Sequence, residues 1–403
     1  MKVTVPSFNK FPVLACLYIA QAIPGHFASN AMPVIMRHEG FSLESIGLIG
    51  LVSIPWALKF LWAPLIDRYG GQKNHYRKWI IPMQCAFALI TCIAAAFNIN
   101  DNFHTILFLM FASYVFSATQ DIAVDAYAFK MLSLEERGLG NGIQTAGNIF
   151  GIVIGSSAAL VLFLETSWSI TLMTIAIFVI LLGLPILFTE EKPNHKQYNS
   201  SPKEILRFFR IKGIWSWSIV LVPIFGSLFS INTMCKALMV DHGFSWLFIA
   251  TTLGAIPLCG IPVAIWTGIS LRKYSRLKVF VATTTLNTLV SLALVPIANG
   301  FGDSKLFFIC FASNWAVIAM LLTTINTLAM DFARKGQEGS DLAIFVSIGL
   351  IGGMISMAIG GIVTQRFGYS ALFISSAVLS MVAGILSIFI CRNHHTKLPS
   401  SII

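Results

Sequence analysis

Charged residues are scarce in this sequence, and acidic residues are the scarcest. Charged side chains make up 11% of the 403 residues, and only 17 residues are Asp or Glu; an average soluble protein carries about 25% charged residues. Phosphate-binding loops and nucleophile elbows are missing, and the seven cysteines and eight histidines show no metal-ligand spacing. Neither ATP hydrolysis nor another enzyme chemistry is therefore supported, and we expect no cofactor and no metal.

Long apolar runs are what the sequence has instead. Hydrophobic residues make up 56% of the chain, and the mean hydropathy is +0.79. The apolar runs are each close to the ~20 residues that an α-helix needs to cross a bilayer. They predict an all-α membrane protein with twelve transmembrane helices, at about residues 11–36, 43–64, 79–97, 104–128, 139–164, 168–188, 213–237, 244–270, 279–299, 304–330, 341–364 and 369–391.

The basic residues predict the orientation of these helices. If the N-terminus is cytoplasmic, 22 of the 27 Lys and Arg residues fall in cytoplasmic pieces and 4 on the other side, while Lys59 lies inside a segment. Cytoplasmic loops of membrane proteins carry the excess of Lys and Arg. We therefore expect both termini in the cytoplasm and the lipid bilayer as the partner of these cations, with no nucleic acid bound.

The longest polar stretch divides the chain into two halves. Residues 189–212 are rich in Lys, Glu, Asn, Ser and Pro and separate six apolar segments from six others. This predicts an N-terminal six-helix bundle at 1–188, a cytoplasmic linker at 189–212 and a C-terminal six-helix bundle at 213–403.

The two halves also share short motifs in register. Gly40-Phe41-Ser42 returns as Gly243-Phe244-Ser245, Ile54-Pro55 returns as Ile256-Pro257, and Ala123-Val124-Asp125 returns as Ala329-Met330-Asp331. A parallel repeat of two six-helix halves is the layout of major-facilitator transporters, and the sequence resembles that superfamily in this respect.

Two acidic residues and one lysine lie in apolar segments. Asp121 and Asp125 are four residues apart, so they share one face of a helix, and a charge at the centre of a bilayer costs roughly 2.5–3.5 kcal/mol on insertion scales. Lys59 lies eight residues before Asp67, or roughly 12 Å along a helix. A pair of Lys59 with Asp121 would neutralise both charges and serve proton coupling or gating; the alternative is that Lys59 snorkels to the cytoplasmic interface.

The stretch from Leu65 to Gly70 resembles the loop signature of the major-facilitator superfamily. The resemblance implies a latch for one conformation, with an acid at a helix end that pairs with cations of nearby loops, and Arg137 is a candidate partner of Asp67. Asp125 and its repeat counterpart Asp331 both end a segment. We therefore predict a cytoplasmic gate formed by Asp67, Arg68, Asp125, Arg137 and Asp331.

Amides and one histidine form polar faces on several segments. Gln21, His26 and Asn30 lie on one side of the first segment, beside Pro24. Such residues can contact the substrate in a central cavity, or they can join helices by hydrogen bonds. The candidate substrate-binding residues are Gln21, His26, Asn30, Gln144, Asn148, Asn232 and Asn326.

Four stretches together resemble the AmpG-type branch of the superfamily, and they are residues 21–25, 55–68, 118–128 and 135–138. That branch contains muropeptide permeases, acetyl-CoA transporters and bacterial ferric-siderophore permeases of the RhtX/FptX type. The run Pro-Trp-Ala-Leu-Lys-Phe-Leu-Trp-Ala-Pro at 55–64, the end of the first segment at 31–37 and the chain length resemble the siderophore group most.

The resemblance implies a secondary transporter of the bacterial inner membrane that imports a ferric siderophore from periplasm to cytoplasm by alternating access. A gradient would supply the energy, with protonation of Asp121 as the coupling step, and we expect a monomer. Import of a muropeptide or of acetyl-CoA is the alternative within the branch. A membrane receptor that binds a small molecule without moving it is an alternative of another class.

Overall fold

The fold is helical throughout the residues that the structure describes. The structure is a computed structural model, and it describes residues 10–39, 41, 52, 54–71, 73–189, 191, 203–211, 213–244, 252, 254–300 and 304–393. Within these residues no β-strand occurs, and ten helices are long and apolar enough to cross a membrane. The prediction of an all-α membrane protein is confirmed.

The helices of the described residues vary from single turns to membrane-spanning rods. The α-helices are α1 Lys10–His26, α2 Met32–His38, α3 Ile54–Leu58, α4 Ala63–Arg68, α5 Arg77–Ala95, α6 Phe103–Met131, α7 Arg137–Ile152, α8 Ala159–Glu165, α9 Trp168–Gly183, α10 Lys203–Phe208, α11 Ile214–Asp241, α12 Gly260–Lys273, α13 Arg276–Ala298, α14 Ser304–Phe332 and α15 Glu338–Asn393. Turns of 3-10 helix cover Lys59–Leu61, Leu184–Phe188 and Ile256–Cys259, and π-helical segments cover Phe27–Ala31 and Val153–Ala158.

The ten long helices correspond to ten of the twelve predicted segments. The other two, predicted at 43–64 and 244–270, begin in stretches that lie outside the described residues. Their described remainders are shorter helices: α3 and α4 in the second segment, and α12 in the eighth.

The chain forms two compact units that do not follow its order in sequence. Unit 1 contains Met1–Ser133, Ala146–Ile205 and Arg334–Ala343, and unit 2 contains Leu134–Thr145, Leu206–Ala333 and Ile344–Ile403. As a result, α7 starts in unit 2 and ends in unit 1, whereas α15 starts in unit 1 and continues in unit 2. Most of the predicted linker at 189–212 lies outside the described residues.

Each unit has its own apolar core. In unit 1, α1, α5, α6 and α9 pack around buried side chains such as Ile23, Phe87 and Ile175. In unit 2, Phe307 stacks on Phe311 at a centroid distance of 5.7 Å, and Phe244 meets Phe307 edge-on at 5.3 Å.

Small residues allow α1 and the second part of α7 to touch along their backbones in unit 1. A Cβ atom at Gly151 would lie 2.3 Å from the Cβ of Ala22, and one at Gly155 would lie 2.4 Å from the carbonyl oxygen of Ile23. Glycines spaced four apart are the usual means of such close approach in membranes. Both helices turn π-helical at this level, over Phe27–Ala31 and Val153–Ala158.

A sharp break divides α15. Gly368 has φ 81° and ψ 171°, a conformation that glycine adopts without the steric penalty of a side chain. The break falls between the eleventh and twelfth predicted segments, 341–364 and 369–391. The two predicted helices therefore follow each other without a loop of their own.

The contact at Gly155 gives a stability prediction. We expect Gly155→Ala to lower the melting temperature of the detergent-purified protein. The added methyl group would meet a backbone carbonyl, which cannot move aside as a side chain can by changing its rotamer. Overpacking of this kind costs about 1–3 kcal/mol. Gly361→Ala is the matched control, since a Cβ there would meet only Met234 Cε at 3.8 Å. Equal melting temperatures for the two variants would contradict the close packing of α1 on α7.

Candidate functional site

A lysine and an aspartate form an ion pair that is sealed inside unit 1. The Nζ atom of Lys59 contacts Oδ2 of Asp121, and the two residues are only 2% and 3% exposed. Lys59 therefore does not snorkel to an interface. Removing one partner of such a pair costs about 3–5 kcal/mol, because the other charge is left uncompensated.

The local backbone carries Lys59 on a tight turn rather than on a regular helix. α3 ends at Leu58, residues Lys59–Leu61 form a 3-10 turn, and α4 begins at Ala63 with Pro64 in its first turn. Proline has no N–H to donate to the preceding turn, so a proline at a helix start goes with a break before it. The sequence predicted one continuous segment here and could not show this turn.

The other carboxylate oxygen of Asp121 is held from α1. The Nε2 of Gln21 donates to Oδ1 of Asp121 at 2.8 Å. The amide oxygen of Gln21 is buried and has no hydrogen-bond partner among the described residues. Gln21, predicted to bind substrate, is therefore placed by the structure on the aspartate of the ion pair.

Two tryptophans lie close to the pair. The Nζ of Lys59 lies 5.0 Å from the ring centroid of Trp56, and the indole N–H of Trp62 donates to Thr119 on α6 at 3.0 Å. A cation over an indole face is attracted by the ring quadrupole. Lys59 thus has two stabilising neighbours, a carboxylate and an aromatic face.

A second polar cluster lies in unit 1 where α1 becomes π-helical. His26 Nε2 is 3.3 Å from Oδ1 of Asn148, and Nδ2 of Asn30 is 3.4 Å from Nδ1 of His26. A neutral imidazole that donates from Nε2 and accepts at Nδ1 satisfies both contacts. Three of the predicted substrate-binding residues are therefore brought together beside the π-helical segment.

The remaining predicted substrate-binding residues lie in unit 2. Asn326 on α14 donates to Oε1 of Gln144 on α7 at 3.1 Å. Thr145, the residue after Gln144, and Thr323, three residues before Asn326, form a second bond at 3.1 Å. Asn232 lies half-buried on α11.

The carboxylate of Asp67 binds the first turn of α15 within unit 1. It accepts from the backbone N–H of Gly339 at 2.9 Å, from the N–H of Ser340 at 2.8 Å and from the Ser340 hydroxyl at 2.5 Å. These amides have no partner inside their own helix, and the helix dipole favours an anion at this end. Asp67 thus caps a helix that begins more than 270 residues later in the chain.

Tyr76 joins the same contact from the start of α5. Its hydroxyl donates to Asp67 at 3.0 Å and lies 3.2 Å from a carboxylate oxygen of Glu338. Burial, and to a smaller extent the charge of Glu338, raises the pKa of Asp67 to about 7, although the bonds from Ser340 and Gly339 oppose the shift. Burial also raises the pKa of Tyr76 well above its usual value, so its hydroxyl remains a donor.

The other predicted gate residues have partners of their own. In unit 2, Asp331 is paired with Arg137 and with Arg276, both at 3.1 Å. The sequence suggested Arg137 as the partner of Asp67, and the structure shows a different partner for each. Arg68 is exposed, and its guanidinium stacks on Tyr69 at 5.2 Å rather than entering the Asp67 contact.

Asp125 lies one turn beyond Asp121 on α6 and is 9% exposed.

Three residues of these clusters were missed from the sequence: Tyr76, Ser340 and Arg276. Only Arg276 carried a signal, since it is one of the basic residues just before the predicted segment at 279–299.

No group of three or more His, Cys, Asp or Glu residues with the arrangement of a metal site occurs among the described residues. The polar clusters supply paired charges and hydrogen-bond donors and acceptors.

Comparisons with known proteins fit these observations. The sequence profile of the Major Facilitator Superfamily matches residues 13–349. The anhydromuropeptide permease of Escherichia coli is 23% identical over 405 residues, which cover 94% of this chain and 79% of the permease. The putative transporter AmpG 1 of Rickettsia bellii is 23% identical over 377 residues, which cover 87% of this chain and 91% of that protein.

A solved structure shows the same fold. The fucose:proton symporter FucP of E. coli superposes with a TM-score of 0.73 at 16% sequence identity, over 95% of this chain and 99% of that one. Ten of the described helices are long and apolar enough to cross a membrane. With a profile match over most of its length, this chain belongs to the Major Facilitator Superfamily, and it is a transporter similar to the AmpG-type permeases.

Proposed function

We propose that this transporter imports an anionic glycopeptide of the anhydromuropeptide type from periplasm to cytoplasm, driven by a proton gradient. The observation that carries the proposal is the buried Lys59–Asp121 pair. The similarity to the E. coli anhydromuropeptide permease supports the substrate class. We place the protein in the bacterial inner membrane as a monomer with both termini in the cytoplasm, as the loop charges predict.

The pair suits proton coupling because its charge state can change in one step. A proton taken up by Asp121 leaves a neutral acid and breaks the ion pair with Lys59. The acid then has an O–H to donate, and the buried amide oxygen of Gln21, which has no partner among the described residues, can accept it after the amide turns over. Gln21 can thus bind both protonation states of Asp121.

The same step explains an anionic cargo. Once Asp121 is neutral, Lys59 is a buried cation without its counter-ion, which is costly in an apolar surrounding. A carboxylate of the substrate can take the place of Asp121 beside Lys59, next to the face of Trp56. Proton and anionic substrate would then enter together, since each needs the other to keep the site neutral.

Two further clusters have proposed roles in transport. We assign His26, Asn30 and Asn148 to substrate contact, because they gather beside the paired π-helical segments, and such segments are frequent at functional sites. We assign the Asp67 contact and the Asp331 contact to the cytoplasmic gate. Gln144, Asn232 and Asn326 stay candidates for substrate contact.

Import of a ferric siderophore is the second candidate function. It rests on the resemblance of residues 55–64 and 31–37 to siderophore permeases. Both cargoes are large, polar and anionic, so the ion pair alone does not separate them.

Asp121→Asn tests the coupling. In proteoliposomes with an imposed proton gradient, we expect this variant to lose accumulation of labelled anhydromuropeptide while it keeps exchange of internal for external substrate, since the amide cannot carry a proton. Asp101→Asn, which changes an exposed residue, is the matched control and should accumulate normally. Gradient-driven accumulation by Asp121→Asn at the wild-type level would rule out Asp121 as the coupling group.

Competition tests the substrate. We expect an excess of unlabelled anhydromuropeptide to reduce uptake of the labelled compound about tenfold, because both bind one site, while ferric siderophores and acetyl-CoA leave it unchanged. Uptake of a labelled ferric siderophore without uptake of the muropeptide would support the second candidate instead. Binding without accumulation would favour a receptor.

The pKa of Asp67 gives a pH prediction for the gate. Because burial raises this pKa to about 7, the folded protein keeps a proton on Asp67 that the unfolded chain releases, and the folded state loses stability as the pH rises from about 4 to about 7. We expect the melting temperature of the detergent-purified protein to fall from pH 5 to pH 8. In Asp67→Asn, which cannot ionise, this change should be much smaller; an unchanged profile would contradict the assignment.

A further inference from the structure

His75 occupies the centre of the loop that carries Asp67 and Tyr76. It is 3% exposed. Its Nε2 lies 2.8 Å from the carbonyl oxygen of Ile66, and its Nδ1 lies 3.1 Å from the carbonyl oxygen of Gly71. Both ring nitrogens therefore face acceptors, and neither carbonyl can donate.

The loop is shaped to enclose this ring. A Cβ at Gly70 would lie 2.7 Å from the imidazole, so only glycine leaves room for it. Asn74, just before the histidine, has φ 51°, in the left-handed region that Asn tolerates better than most residues. The loop accepts an uncommon backbone conformation next to His75, as is frequent where a side chain must be held in one place.

Only one form of imidazole fits two carbonyl acceptors. A neutral ring has one N–H donor and one acceptor lone pair, which would point at a carbonyl oxygen. An imidazolium donates from both nitrogens. The carbonyl of Ile66 is also one of the last of α4, where the helix dipole favours a cation.

We infer that His75 is a positioning residue of the gate: as an imidazolium it ties Ile66 to Gly71 and so holds Asp67 and Tyr76 in place for their bonds to the start of α15. A ring with a single N–H could donate to only one of the two carbonyls and would hold the loop less firmly.

Several other ionisable groups surround the loop. Those within its contacts are Asp67, Tyr76, Arg77, Lys78, Lys130, Glu191 and Glu338. Lys130 is paired with Glu191 at 3.3 Å. Tyr76 packs edge-on against the His75 ring at 4.7 Å, which leaves the ring nitrogens to the carbonyls.

The inference rests on the gate role assigned to the Asp67 contact under the proposed function. The bonds of His75 themselves do not depend on which substrate is carried.

Nitrogen NMR of the full-length protein in lipid nanodiscs tests the inference directly. With ¹⁵N-labelled histidine, we expect the His75 signals at pH 6 to show two protonated ring nitrogens. His75→Gln assigns the signals by their disappearance, and the wild-type spectrum carries the result. A His75 ring with one bare nitrogen would overturn the inference.

Hydrogen exchange at a single pH separates His75 from the other groups of the loop. At pH 6 we expect His75→Gln to make the Gly339 and Ser340 amides exchange about tenfold faster after correction for intrinsic rates, the effect of losing one hydrogen bond. His104→Gln, at an exposed histidine, should leave their exchange unchanged. Unchanged exchange in His75→Gln would overturn the inference, and neither outcome depends on transport of the proposed substrate.

Discussion

The cost of a buried charge without a counter-charge governs the structure around Lys59 and Asp121. Neither residue can face lipid or enter the core alone. The 3-10 turn at Lys59–Leu61 and the amide of Gln21 therefore hold the two charges together. The same cost underlies the proposed coupling, in which Asp121 takes up a proton only when an anion arrives beside Lys59.

The sequence predicted this pair from little more than helix geometry. Lys59 was placed by its distance of eight residues from Asp67, and its pair with Asp121 was predicted because it would neutralise both charges. The helical class and ten of the twelve segments also followed from apolar length alone, because a bilayer imposes one length on every helix. Such predictions succeed where one physical constraint acts on a single stretch of chain.

The gate contacts could not be predicted in the same way. Asp67 binds backbone amides at Gly339 and Ser340, and a backbone amide leaves no mark in the sequence. Arg276 looked like one more loop cation among 22, and its bond with Asp331 depends on the folded unit. Gln21 was expected to contact substrate. A polar residue on an apolar helix has several possible partners, and only the folded structure shows which of them it binds.

The two π-helical segments also limit which insertions and deletions this protein can accept. A π-turn holds one residue more than an α-turn, so each segment behaves as a single-residue insertion absorbed within a helix. Phe27–Ala31 and Val153–Ala158 lie side by side in unit 1, across the glycine contact of α1 with α7. A deletion in one of them would shift the register of its helix against an unchanged neighbour. The pair is therefore expected to be gained or lost together, as a matched change in two distant parts of the gene.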